Sequence, residues 1–215
     1  MTGPRRVVLL RHGETTHNAA GIWQGHLDTE LSELGREQAA AAGHAVAALG
    51  PTHIVSSDLL RARATAEAVG RATGLPVDLD HRFREIDVGE WQGLGNEEVS
   101  RRWPEERAAV LRGEDVPRGV SGESMADVRT RVGAALGEHL GGLGAGECLV
   151  VSTHGAAGRV AAAWLLGLDV GLAWRVLGGL GNCHWGELRE GRRGWWVETW
   201  NASAGVASRA GSSPP

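Results

Sequence analysis

The chain holds 215 residues, 42% of them hydrophobic and 22% charged, a balance that excludes intrinsic disorder and suits one globular domain. With 22 basic against 26 acidic side chains the net charge is -4, so no bulk positive field marks it for nucleic acid. Its two cysteines, Cys148 and Cys183, are too few for a disulfide framework and point to a reducing cytoplasm, and no apolar run reaches the roughly 18 to 20 residues of a membrane span.

In chain order, residues 6–10 (Arg-Val-Val-Leu-Leu) form an apolar, β-branched run that predicts a buried strand, too short for the core of a signal peptide. Polar, glycine-bearing chain follows over 11–28. Ser32 then has the place of a helix N-cap, ahead of an alanine-rich amphipathic run to about Leu49 that stops at Gly50-Pro51. Residues 53–55 predict a second strand. Asp58 is placed to cap a helix over 59–73 closed by Gly74, and 77–79 predicts a third strand. Over 85–122 the periodicity breaks down into glycine- and proline-bearing chain with short helical pieces, a cap-like segment of a length that usually carries function. Helical spacing returns over 123–140, then come a glycine turn at 141–144, a buried strand at 149–151 and a small-residue helix over 156–166. Residues 183–188 and 195–200 predict a hairpin joined by 189–194. The last stretch, 204–215, is mostly Ser, Ala, Gly and Pro and is expected to be a loose tail after a single domain over 1–203. Strands alternating with helices make this an α/β domain with a mostly parallel sheet.

Two of the strands end alike, in Arg11-His12-Gly13 and in Thr153-His154-Gly155. In open α/β sheets ligands bind beyond the carboxyl ends of the strands, so neighbouring strands would bring His12 and His154 to one point. The glycine after each histidine lets the backbone turn and a ligand approach. A lone strand-end histidine is ordinarily structural; two of this design are harder to dismiss. Zinc spacing is missing, and Arg11 beside the first histidine favours an anion over a dication. Arg61, at the start of a helix, can reach the same face, and guanidinium forks match phosphate oxygens. The chain has no lysine, so all its basic side chains are arginine, which excludes Schiff-base and P-loop lysine chemistry. Two arginines and two histidines make a cage for a tetrahedral dianion. Glu85 is the best placed carboxylate for an acid.

The run Leu10-Arg11-His12-Gly13-Glu14-Thr15, with Asn18, Gly25, Asp28, Leu31, Gly35 and Gln38, resembles the histidine phosphatase superfamily, which includes the cofactor-dependent phosphoglycerate mutases. Ser56-Ser57-Asp58-Leu59-Leu60-Arg61-Ala62, Arg84-Glu85-Ile86-Asp87-Val88-Gly89-Glu90-Trp91-Gln92-Gly93, Gly122-Glu123-Ser124 and Thr153-His154-Gly155 follow in the family's order. The resemblance runs from about residue 6 to about residue 200. It implies a three-layer α/β/α fold of the phosphoglycerate mutase type with a mostly parallel central sheet. It also implies that His12 is a nucleophile forming a phosphohistidine, that Arg11, Arg61 and His154 hold the phosphoryl oxygens, and that Glu85 is general acid and base. Asn18 and Gln24 would reach the phosphate or substrate as neutral donors. No metal or other cofactor is implied.

Mutases of this family use a tyrosine and a lysine on the glycerate carboxylate, and this chain has neither residue. Arg101, Arg102 and Arg107 could substitute, but beside Glu105 and Glu106 they are expected on a solvated helix face. A phosphomonoester hydrolase is therefore the leading expectation, ahead of a mutase and of a non-catalytic phosphate-binding protein. The stretches 177–185 and 200–203, with Gln24-Gly25 and 28–35, resemble the actinobacterial glucosyl-3-phosphoglycerate phosphatases, which release glucosylglycerate; a broad-specificity sugar or small-metabolite phosphatase is the alternative. The expected partner is a small phosphorylated metabolite, without nucleic acid or membrane, and the resemblance implies a homodimer covering the tryptophan-rich terminal hairpin. Trp23 and Trp91 either line the mouth of the site or pack against loops.

Overall fold

The computed structural model describes residues 3–205, and most of the tail expected over 204–215 lies outside the described residues. Its elements run β1 (Arg6–Arg11), α1 (Thr16–Ala19), α2 (Glu33–Ala47), β2 (His53–Ser56), α3 (Leu60–Thr73), β3 (Asp78–Leu79), α4 (Asn96–Arg102) and α5 (Pro104–Leu111). They continue with α6 (Met125–Gly141), β4 (Cys148–Thr153), α7 (Gly155–Leu165), α8 (Val170–Val176), β5 (Trp185–Gly191) and β6 (Gly194–Ala202). One six-stranded sheet has the order β3-β2-β4-β1-β5-β6. The four strands from β3 to β1 pair in parallel and the terminal hairpin adds antiparallel β5 and β6.

The alternation of β1 explains the layers. Val7 and Leu9 face one apolar cluster with Val128, Val132 and Leu136 of α6 and Val160 of α7, whereas Val8 and Leu10 face a second with Ala39, Ala42 and Val46 of α2 and Ala66 and Val69 of α3. Both faces of the sheet are covered, which is why the central strands read as continuous apolar runs. The result is a three-layer α/β/α fold. Helices α2 and α3 pack closely because Gly43 lies against the backbone of Ala68, where a Cβ would come within 2.7 Å of its carbonyl oxygen.

The predicted helix ends hold at Ser32 and Gly74 and fail at Asp58. Ser32 and Ser124 cap α2 and α6 through their hydroxyls, and Gly74 closes α3 with a left-handed φ of 77°. Asp58 does not cap α3. Its carboxylate takes a bidentate pair from Arg84 at 2.8 and 2.6 Å, and the N–H of Leu60 is met instead by Asp28 from the preceding loop, at 2.7 Å. Within 85–122 the chain forms a short 3-10 turn (Gly89–Trp91), α4 and α5. Trp91 and Val99 are fully buried, so this segment is anchored in the main core.

Arg107 is a second correction. Arg101 and Arg102 are exposed and lie beside Glu98, as a solvated face requires, but Arg107 is only 5% exposed and sits 5.6 Å from the ring of Trp23. The helix turns this one arginine inward, and its stem joins the packing of α5 on Trp23. Trp23 meets Trp91 edge-on at 5.3 Å, and Trp91 is a core residue with no exposed surface.

Candidate active site

Adjacent parallel pairing of β1 and β4 puts Arg11 beside Thr153, and the ladder continues one step past the strands, where the His12 N–H donates to the Thr153 carbonyl at 3.0 Å. His12 and His154 therefore leave the sheet side by side. Their ring centroids lie 5.1 Å apart at an interplanar angle of 61°. Both rings are buried.

Small polar residues fix the surrounding backbone. The Gly13 N–H donates to the Thr65 hydroxyl, which in turn donates to the Arg61 carbonyl. The Ser152 hydroxyl donates to the Ala62 carbonyl and the Thr153 hydroxyl to that of Phe83, each at 2.8 Å. Behind His12, Cys183 takes a left-handed φ of 55° and shares its N–H between the carbonyls of Arg11 and His12, joining the terminal hairpin to the end of β1.

The two imidazoles are held by different atoms. His12 Nδ1 lies 2.7 Å from the Gly13 carbonyl oxygen, which can only accept, so Nδ1 carries the proton and Nε2 has the free lone pair. His154 does the reverse. Its Nε2 lies 2.9 Å from the Ser57 hydroxyl, and its Nδ1 is buried with no partner among the described residues. Ser57 was not among the expected site residues, and only its place directly after β2 could have suggested it.

Burial, and then the charges of Arg61 and Arg11, push His12 well below the usual imidazole range. His154 is lowered by burial first and then by Arg61, His12, Arg131 and Arg11. Both rings are therefore neutral at pH 7, as a nitrogen nucleophile requires. Arg11 donates through Nη1 to the Leu180 carbonyl and keeps a buried, unpartnered Nε. Arg61 donates to the carbonyls of Leu27 and Gly25 and also keeps a buried, unpartnered Nε; burial brings its pKa down to about 10, against the opposing charges of Glu85 and Asp28. It remains charged at neutral pH.

Glu85 lies at the start of α7. Its Oε1 accepts from the N–H groups of Ala156 and Ala157 at 3.2 and 3.0 Å. A Cβ on Gly155 would stand 3.6 Å from Glu85 Oε2 and 3.8 Å from Arg11 Cζ, so the carboxylate and the Arg11 guanidinium come together over one glycine. The segment that carries Glu85 is held by Arg131 of α6, which donates to the carbonyls of Arg82, Arg84 and Glu85 and pairs with Glu123 at 2.7 Å. No local pattern singles out Arg131.

Asn18 and Gln24 use their oxygens internally. Asn18 Oδ1 accepts from the Thr15 N–H and hydroxyl in a capping box, and Gln24 Oε1 accepts from the hydroxyls of Thr15 and Thr29. Neither amide NH2 makes a hydrogen bond among the described residues, so both keep donors for a ligand oxygen. The structure thus brings His12, His154, Arg11 and Glu85 together, with Arg61 close enough for its charge to act on both rings. What gathers there is a pair of neutral imidazoles, fixed positive charge and a carboxylate, groups suited to phosphoryl transfer.

A model of the histidine phosphatase superfamily, branch 1, matches residues 7–203. The chain is 42% identical over 224 residues to the glucosyl-3-phosphoglycerate phosphatase of Mycolicibacterium vanbaalenii, covering 95% of this chain and 97% of that protein. It is 36% identical over 195 residues to a probable phosphoglycerate mutase of Erwinia tasmaniensis, covering 91% of this chain and 89% of that protein. Among solved structures it is similar to a mycobacterial glucosyl-3-phosphoglycerate phosphatase in complex with inorganic phosphate, with a TM-score of 0.83 and 40% identity over 95% of this chain and 100% of that one. The paired His-Gly strand ends, the sheet that aligns them and this agreement over nearly the whole length make the chain a member of the histidine phosphatase superfamily.

Proposed function

We propose that the protein hydrolyses the phosphate ester of glucosyl-3-phosphoglycerate, releasing glucosylglycerate and inorganic phosphate through a phosphohistidine on His12. The observation that carries the chemistry is the His12 ring, neutral and with Nδ1 tied to Gly13, set 5.1 Å from His154 between two arginines. The substrate reading is supported by 42% identity, across almost the full length, to relatives bearing that activity in their name.

In the first step the lone pair of His12 Nε2 forms a bond to phosphorus while the bond from phosphorus to the ester oxygen breaks. Glu85 gives its proton to the leaving alkoxide. In the second step water attacks the phosphohistidine, Glu85 takes one of its protons, and His12 Nε2 leaves with its electron pair. Arg11, Arg61 and the Nδ1–H of His154 meet the oxygens that carry the developing charge, with Asn18 and Gln24 as neutral donors. His154 can donate from Nδ1 only when Ser57 donates its own proton to Nε2, so the serine hydroxyl sets the tautomer. A second copy of the chain over the free edge of β6, where Trp196 is 43% exposed, fits the same reading and is tested by sedimentation.

Steady-state rates over a panel of phosphate esters test the assignment. Glucosyl-3-phosphoglycerate should exceed glucose 6-phosphate and 3-phosphoglycerate in kcat/KM, with phosphate released in the absence of any bisphosphorylated primer. Equal rates across the panel would overturn the substrate assignment; primer-dependent isomerisation without phosphate release would turn the reading to a mutase.

A further inference from the structure

Arg159 belongs to none of the roles above. It lies on α7 four residues after Gly155, hence on the same helix face one turn further along, about 5 to 6 Å away between Cβ positions. Gly155 is the residue at which Glu85 Oε2 and the Arg11 guanidinium meet. The Arg159 guanidinium stands 4.4 Å above the Trp174 ring of α8, which covers one of its faces. Its Nη2 rests against Gly179, where any Cβ would come within 2.7 Å. The next residue, Leu180, gives its carbonyl to Arg11. Two guanidinium groups thus flank one glycine-bearing loop, Arg11 toward the phosphoryl cage and Arg159 one turn outward.

No acidic side chain pairs with Arg159 among the described residues, it makes no hydrogen bond there, and its buried Nε has no partner. Stacked on an indole, a guanidinium keeps its N–H edges free in one plane, the geometry that grips a carboxylate with two parallel bonds. A phosphorylated glycerate presents such a group, with the carboxylate carbon three bonds beyond the ester oxygen that Glu85 serves.

We infer that Arg159, held by Trp174 and Gly179, is the specificity-determining residue for the carboxylate of the leaving group. This rests on the phosphoglycerate reading of the site and names the residue that reads its acid. Burial lowers the Arg159 pKa while the charge of Glu85 opposes the shift, which agrees with a cation beside the general acid. Arg11, Arg61 and Arg159 set three positive charges against the carboxylates of Glu85 and Asp28, a surplus that suits a substrate carrying both a phosphate and a carboxylate.

The test compares kcat/KM for two pairs of esters in wild type, Arg159→Gln and Arg159→Lys. One pair is 3-phosphoglycerate and glycerol 3-phosphate; the other is glucosyl-3-phosphoglycerate and its analogue with hydroxymethyl in place of carboxylate. Within each pair wild type should favour the acid, and Arg159→Gln should shrink that preference by about tenfold or more, mainly through KM. Arg159→Lys should restore part of it. An unchanged preference in Arg159→Gln, whether rates fall or hold, overturns the inference, as does a wild type indifferent to the carboxylate. If wild type treats glucosylated and unglucosylated acids alike while the Arg159 effect persists, the glucosyl assignment fails and the carboxylate subsite stands.

Discussion

The ends of β1 and β4 carry the same dipeptide and do opposite things with it. At His12 the ring is fixed by the carbonyl of the very next residue, so its tautomer is written into the local chain and Nε2 faces the cage. At His154 the ring is fixed by a hydroxyl from beyond another strand, and Nδ1 faces inward. The glycines differ too. A Cβ on Gly13 would run into the backbone of Gly35, whereas on Gly155 it would meet ordinary contacts no closer than 3.6 Å. One motif therefore leaves Nε2 free where the backbone alone orients the ring and Nδ1 free where a neighbour does, which suits the nucleophile and oxyanion donor proposed for them.

The sharpest break of this comparison is His12→Ala, which should lower kcat by about 10⁴ or more and abolish the acid-labile phosphoprotein trapped after quenching with labelled substrate. His154→Ala should cost less, about 10² to 10³ in kcat, and leave the trapped phosphoprotein detectable. The two neutral rings also set a pH dependence. Their folded pKa values lie below the unfolded value of about 6.5, so the unfolded chain binds more protons as pH falls through 6.5. Urea unfolding should show stability present above about pH 6.5 and lost below it, by up to about 1.4 kcal/mol per pH unit for each ring. Replacing either histidine by Asn should remove its share of that slope. Among the glycines, Gly13→Ala should destabilise by about 1 to 3 kcal/mol, against less than about 1 kcal/mol for Gly155→Ala. Smallest, Ser57→Ala should reduce kcat about tenfold while leaving phosphohistidine formation intact, because only the orientation of His154 depends on it.

Runs of buried residues made the sheet and its main helices readable in advance, since burial on both faces leaves an apolar signature in β1 and β4. The His-Gly repeats announced the site for a related reason: strand ends are where a backbone can present a side chain without breaking its ladder. What stayed hidden depends on pairings between distant segments. Asp58 has every local mark of a cap, yet Arg84 claims it and Asp28 caps in its place from 32 residues away. Arg107 directly follows two acidic residues and reads as solvated, but one helical position decides that it faces Trp23. Ser57, Arg131 and Arg159 act through partners 97, 46 and 15 residues away in the chain, at His154, Glu85 and Trp174, so no local pattern reports them. The helix α8 was missed because its seven residues are too few for a period to show.

Cys183, lodged directly behind His12, has a consequence for chemical resilience. Burial lifts its thiol to about 12 and that of Cys148 to about 11, so neither sulfur offers a thiolate to alkylating reagents or peroxides near neutral pH. The His12 imidazole is consequently backed by a sulfur that behaves as a small hydrocarbon, and turnover should survive iodoacetamide or mild oxidants that silence enzymes dependent on a free sulfhydryl.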